Sequence, residues 1–352
     1  MTCLVGAHPN SMDYEKRSPK CTVQRANLTM RDRAPLSLHS LGRYIEVYRL
    51  VQRQIKQIHC QQIHAARPLF EGLVSYAISK RYGIPYICYV HGEDVSVART
   101  SRQLKMVTNK VLGAASLIIC NSEFSRQMLT EDWNICSGAI ETINPGVDTS
   151  FFAPQDRDET ARAKLGWSDR PVVLTVGRLQ RRKGQDNFIR SLVFTKRKIP
   201  NILYAVVGGG ALKEELVALV QQNQLESNVI FHGEVSDETI RDCYQQCDLF
   251  CLPNRTDGAD MEGFGMVSLE AQSCGKPAIV GNSGGTPETV IAGTTGVVID
   301  CTDPQIISEQ AVRLLNDRNL LDSMGRAART RTVSNFDWRS ITEKSSQIFE
   351  QL

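Results

Sequence analysis

No stretch of this 352-residue chain approaches the ~20 consecutive apolar residues that a membrane span needs. No Cys-x-x-Cys pair occurs among its 11 cysteines, an odd number scattered from Cys3 to Cys301. Free thiols in a reducing compartment fit that pattern better than a disulfide framework. Cys243, Cys247 and Cys251 stand four apart, but the expected helix ends near Gln246 and no histidine completes a zinc set, so no metal is expected. The opening MTCLVGAHPN has no basic stretch, no long apolar core and no small-residue cleavage site, so a cytoplasmic location is expected rather than secretion. RNP, zinc-finger and helix-turn-helix signatures are missing, and no nucleic-acid partner is expected. GxSxG, HExxH and Walker A motifs are missing too. Gly208-Gly209-Gly210 does not make a dinucleotide fingerprint, because the third glycine position of G-x-G-x-x-G falls on Lys213.

What is present points to a folded protein of about two domains, at roughly 150 residues each, with 41% apolar and 22% charged residues. The net charge of +3 conceals an asymmetry. Residues 1–150 hold 18 Lys and Arg against 12 Asp and Glu; residues 151–352 hold 23 against 26. The basic half could meet an anionic membrane surface or a phosphorylated acceptor, or reflect ordinary surface variation.

Short apolar runs alternate with helical patterns along the whole chain. Strands are predicted at 2–5, 62–65, 84–90, 116–120 and 139–143, then at 172–176, 202–207, 229–231, 249–252, 277–280 and 296–299. Helices are predicted at 41–57, 69–82, 102–112 and 123–130, then at 186–195, 212–220, 237–246, 266–274 and 304–315, with an amphipathic helix at the C-terminus. This rhythm gives an α/β fold with parallel sheets. The turn Asn144-Pro145-Gly146-Val147-Asp148 and the polar stretch after it divide the two sets of elements. Ligands of doubly wound sheets bind at the carboxyl ends of the strands.

The segment DGADMEGFGMVSLEAQSCGKPAIVGNSGGTPE, residues 257–288, carries most of the chemistry. Glu262 and Glu270 are separated by seven residues, and Gly263 and Gly265 flank Phe264. A helix starting at Gly265 would point its free N–H groups and positive dipole end at whatever Glu262 faces, an anion site. A carboxylate suits a vicinal diol such as a ribose or a hexose presents. The strand 172–176 runs into Gly177-Arg178-Leu179-Gln180-Arg181-Arg182-Lys183-Gly184. Two cations five apart behind a strand end suit a diphosphate, with Arg181 and Arg182 expected in solvent. Tyr89-Val90-His91-Gly92 and Asn121-Ser122-Glu123 follow two further strands, which places His91, Asn121 and Ser122 at the cleft or, for the latter two, at a helix cap. Ser283-Gly284-Gly285-Thr286-Pro287-Glu288 reads as a helical turn with Glu288 at its own positive end, or as a purely structural loop.

These motifs together resemble glycosyltransferase family 4, the retaining glycosyltransferases with the Glu-x7-Glu signature and the GT-B fold. The resemblance implies two Rossmann-like domains facing a cleft, with a C-terminal helix returning to the first domain. It implies an acceptor-binding domain at 1–153, a linker at 154–170, a nucleotide-sugar domain at 171–334 and the returning helix at 335–352. It implies transfer of a hexose from a nucleotide diphosphate sugar, of the UDP-glucose or GDP-mannose type, to a glycan or lipid-linked acceptor. The setting would be polysaccharide or glycolipid synthesis, at the inner face of a membrane if the basic half contacts lipid. Arg178 and Lys183 would neutralise the leaving diphosphate, Glu262 would hold the transferred sugar, and Glu270 the ribose. Phe264, Gly265 and Met266 would line the sugar and phosphate, His91 would lie near the sugar, and Asn121 and Ser122 on the acceptor side. No cofactor and no Asp-x-Asp metal pair are expected. The alternative is a non-catalytic two-lobed sugar- or nucleotide-binding protein, which gives no reason for Arg178 and Lys183 beside paired glutamates.

The resemblance also implies a glycine-rich loop and a long helix after the first strand. The first 70 residues contain only Gly6 and Gly42, so a first βα unit of roughly 30–40 residues is expected to be missing, unless 2–5 is itself that first strand.

Overall fold

The computed structural model describes residues 2–6, 22–26, 38–135 and 139–350. All of the pairing between its named strands is parallel. Strands β1 (Thr2–Gly6) and β2 (Thr22–Ala26) pair with each other alone among the described residues.

A second sheet contains β3 (Ile63–Ala65), β4 (Tyr86–Val90), β5 (Leu117–Cys120) and β6 (Ala139–Thr142), in that order. The third contains β7 (Val172–Val176), β8 (Leu203–Val207), β9 (Val229–Gly233), β10 (Leu249–Leu252), β11 (Ala278–Gly281) and β12 (Gly296–Ile299). Its order is β12-β11-β10-β7-β8-β9. The chain winds outward from β7 first to one side and then to the other. That reversal opens a crevice at the carboxyl end of β7, where such sheets receive ligands. Every residue of β7 and β8 is buried, as expected for apolar strands covered by helices on both faces. Phe188, Tyr204 and Leu249 fill the core on one face, and Trp167, Leu174 and Phe250 on the other.

Strand and helix positions agree with the periodicity to within two or three residues at each end, with four additions, the strand Thr22–Ala26 and three helices. Helices Glu93–Ala98, Glu159–Lys164 and Arg318–Phe336 carry no strong apolar stripe and were not expected. The second of them lies in the segment read as a linker. That segment is folded onto the third sheet: Trp167 is fully buried in its core, and the buried Arg162 guanidinium binds carbonyls of Gln246, Ser168 and Arg170. The C-terminal helix, Trp338–Phe349, returns to the second sheet as expected. Its Ile341 packs with Ile87, Leu117, Ile119 and Ile143. No helix among the described residues is long and apolar enough to cross a membrane.

Candidate functional site

The loop after β7 is shaped by its last glycine. A 3-10 turn, Arg181–Lys183, ends at Gly184 with φ 72°, and a Cβ at Gly184 would lie 1.7 Å from the Pro253 carbonyl oxygen. Only glycine combines that left-handed geometry with that contact. The loop sends its first two cations outward and its last two inward. Arg178 is exposed, and its guanidinium makes no ion pair among the described residues. Arg181 meets Glu215 at 2.9 Å on the surface, as expected of a solvated cation. Lys183 and Arg182 point inward, with only 10% and 5% of their side chains exposed. The expectation of a solvated Arg182 is thereby corrected, because the turn buries it against acidic partners.

Both inward cations converge on Glu262. Lys183 Nζ lies 2.5 Å from Glu262 Oε2, and Arg182 Nη1 donates to the same oxygen. Burial by itself would raise the Glu262 pKa, but the charges and hydrogen bonds of Lys183 and Arg182 outweigh it and hold the carboxyl below its ordinary value. A depressed folded pKa stabilises the fold above the unfolded value and loses that contribution as pH falls through the folded one. Glu262→Gln is therefore expected to lower the melting temperature at neutral pH and much less in strong acid. Equal losses at both would contradict the pairing.

Glu270 sits one helix further in, on Met266–Ser273. Tyr244 donates to its Oε2 at 2.7 Å. Burial raises the Glu270 pKa, partly offset by the Tyr244 hydrogen bond and by Lys183. Lys183 thus acts electrostatically on both glutamates. The helix Met266–Ser273 begins at Gly265, φ 95°, without a side-chain cap, so no capping side chain satisfies its first N–H groups. Met266 is 47% exposed beside it. Phe264 is turned the other way: its ring is buried with Val147, Leu269 and Phe336.

The first domain closes on this site through backbone contacts. A Cβ at Gly263 would lie 1.9 Å from the His91 carbonyl oxygen, so the Glu262 loop can touch β4's loop only because residue 263 lacks a side chain. Asn121 Nδ2 donates to the same carbonyl at 3.2 Å. The Asn121 Oδ1 accepts from Ser125 Oγ at 2.9 Å, and the fully buried Ser122 caps the helix Glu123–Glu131 through Ser125 N. Asn121 and Ser122 therefore hold the loops together with their own polar atoms. His91 is exposed, and its Nε2 bonds the Ala66 carbonyl at 2.9 Å. A carbonyl only accepts, so Nε2 carries the proton and a neutral ring presents Nδ1 as an acceptor.

Glu288 lies elsewhere than expected. Its carboxylate does not serve its own turn but accepts from the backbone N–H groups of Glu123 and Phe124, both at 2.8 Å. It caps a helix of the opposite domain. Ser96 Oγ adds a second tie, to the Ala259 carbonyl at 2.7 Å. Loss of an N-cap costs about 0.5–2 kcal/mol. Glu288→Ala is expected to lower stability by that amount and to enlarge the radius of gyration in X-ray scattering. Unchanged melting and scattering would contradict a clamp between domains.

Arg182, Tyr244 and the crossing role of Glu288 escaped the sequence reading. The Arg182 side chain differs from that of Arg181 only in which way one turn faces. Tyr244 carried a signal, since it lies on the apolar stripe of the helix Asp237–Gln246 with a hydroxyl that burial obliges to find a partner.

Two family models match this chain. "Glycosyltransferase Family 4" covers residues 6–151 and "Glycosyl transferases group 1" covers residues 157–331. A GDP-mannose-dependent alpha-(1-6)-phosphatidylinositol monomannoside mannosyltransferase of Mycolicibacterium smegmatis is 37% identical over 262 residues, 72% of this chain and 67% of that protein. A Mycobacterium tuberculosis protein of the same description is 36% identical, over 59% of this chain and 55% of its own length. Among solved structures, a sucrose-phosphate synthase of Thermosynechococcus elongatus superposes with a TM-score of 0.81 at 25% identity, covering 95% of this chain and 84% of that one. The Anabaena protein HepE in complex with UDP shares the fold, with a TM-score of 0.83 at 22% identity, over 99% and 92% of the two chains.

Proposed function

The chain belongs to glycosyltransferase family 4, and from that premise we propose that it transfers a mannosyl unit from GDP-mannose to a hydroxyl of a lipid-linked acceptor, with retention at the anomeric carbon. The observation that carries this reading is Glu262 held against Lys183 at the topological switch of the third sheet, with Arg178 exposed on the same loop. Such a site offers cations to a diphosphate and a carboxylate to sugar hydroxyls within one reach. The choice of donor rests on the relatives described as GDP-mannose-dependent.

The donor's diphosphate would sit against Arg178, Lys183 and the open N-terminus of the helix Met266–Ser273. Charge that grows on the leaving diphosphate is stabilised there, in a site closed by the first domain. The transition state resembles an oxocarbenium ion. Glu262 accepts from a sugar hydroxyl through the oxygen that Lys183 and Arg182 leave open, and Glu270 accepts from the ribose. The acceptor hydroxyl attacks on the face the diphosphate leaves, and the diphosphate takes its proton. His91 stands on the acceptor side, and Asn121 and Ser122 position its loop. The basic first half would rest on an anionic membrane at its cytoplasmic face.

The test is a panel of nucleotide sugars with glycolipid acceptors, read by mass spectrometry and by NMR of the new linkage. An α-mannosyl product from GDP-mannose is expected. A product from UDP-glucose alone would overturn the donor, and a β-linked product the mechanism. Glu270→Ala is expected to weaken GDP binding by about 1–3 kcal/mol, the cost of a lost buried hydrogen bond. Unchanged affinity in a calorimetric titration would remove Glu270 from the ribose.

A further inference from the structure

Arg182 contacts three carboxylates from both domains. Its Nη1 binds Glu262 Oε2, its Nε lies 3.1 Å from Asp260 Oδ1, and its Nη2 lies 3.3 Å from Glu93 Oε2 across the domain boundary. The side chain is 5% exposed. Its backbone is held as well: Arg255 N donates to the Arg182 carbonyl at 2.8 Å, and the Arg255 guanidinium is itself fixed by Asp186. This guanidinium cannot turn outward to a ligand without giving up three carboxylates at once, the buried Glu262 and the half-exposed Asp260 and Glu93. Lys183 is different. It is a single point charge on a flexible stem, and the Glu262 oxygen it touches already has a second cation.

We infer that Arg182 is the resident counter-ion of Glu262, and that its presence frees Lys183 to leave that carboxylate for an incoming diphosphate. This positioning role rests on the proposed donor reading and adds to it an order of events. Before the donor binds, Glu262 Oε2 carries two cations. When the diphosphate arrives, Lys183 moves to it, and Arg182 alone keeps Glu262 charged and aimed at the sugar. Without Arg182, Lys183 becomes the main cation of a buried carboxylate and is withheld from the diphosphate. Glu93 ties the same guanidinium to the first domain, so the counter-ion is completed when the cleft is closed.

The experiment is calorimetric titration of GDP and UDP into the wild type, Arg182→Lys, Arg182→Met, Glu262→Gln and the Arg182→Met/Glu262→Gln double variant. Arg182→Met is expected to weaken GDP binding by about tenfold or more, the size of one charge-assisted hydrogen bond. Arg182→Lys keeps the charge and is expected to bind GDP close to the wild type. The double variant removes the carboxylate that traps Lys183, so its affinity is expected to return to that of Glu262→Gln alone. A merely structural role for Arg182 would leave the Arg182→Met loss undiminished in the double variant, and that result would overturn the inference. Wild-type affinity in Arg182→Met would overturn it too. Failure of the wild type to bind either nucleotide would overturn the donor reading, and this inference with it.

Discussion

Glu262→Ala is expected to lower the transfer rate by about 10²–10³-fold, the usual effect of removing one group aligned to the transition state, while GDP alone still binds. The split follows from position. Glu262 faces the cations of the phosphate loop with one oxygen, and the other is left for the sugar, so its loss affects the sugar and spares the nucleotide. The alanine variant also strands the buried Lys183, at a cost of roughly 3–5 kcal/mol where one partner of a buried pair is removed, and takes from Arg182 one of its three carboxylates. Glu262→Gln keeps the volume and separates the two effects: it should remain folded, bind GDP at least as well as the wild type, and still fail to transfer. Wild-type turnover in Glu262→Gln would show that the carboxylate takes no part in the reaction.

Lys183→Ala is expected to reduce kcat by about 10²–10³-fold and to weaken donor binding by a smaller factor. Charge on the diphosphate is larger in the transition state than in the bound donor, so a cation placed there contributes more to the rate than to affinity. The measurement is steady-state kinetics with the donor varied. A rise in KM with unchanged kcat would assign Lys183 to binding alone. EDTA is expected to leave the wild-type rate intact, and complete metal dependence would contradict cationic side chains in this role.

The parts of the site that were legible in the sequence are those fixed by local spacing. Arg178 and Lys183 follow the central strand β7, and of the two the structure brings Lys183 to Glu262 while Arg178 stays exposed on the same loop. Glu262 and Glu270 were legible because one helix start lies between them. What was not legible depends on contacts distant in sequence or on the facing of a single turn. Arg182 is inward only because Gly184 takes a left-handed conformation against Pro253. Glu288 finds its donors 165 and 164 residues away, in the other domain. Phe264 stands between two glycines, as a ligand-lining residue would, yet its ring completes a small core with Phe336.

The same distinction holds for the fold. Strands β8 and β10 are unbroken apolar runs, β7 is interrupted only by Thr175, and all three were placed to the residue or within one. The helix Arg318–Phe336 was missed because the face it buries is built from Leu321, Met324, Gly325, Ala328, Thr332 and Phe336. The small residues among them carry little hydrophobic signal. They are there for close approach: a Cβ at Gly325 would lie 2.2 Å from the Gly275 carbonyl oxygen. The segment at 154–170 reads as polar, but Trp167 is the largest fully buried side chain described and anchors it to the third sheet.

Titration of GDP into the wild type and into an Arg178→Ala/Lys183→Ala double variant tests most directly whether the crevice at the end of β7 is a nucleotide-diphosphate site. Saturable binding to the wild type is predicted, weakened at least about tenfold in the variant, since two charge-assisted contacts are lost. Equal affinity in both proteins, or no binding of GDP or UDP to the wild type, would contradict it.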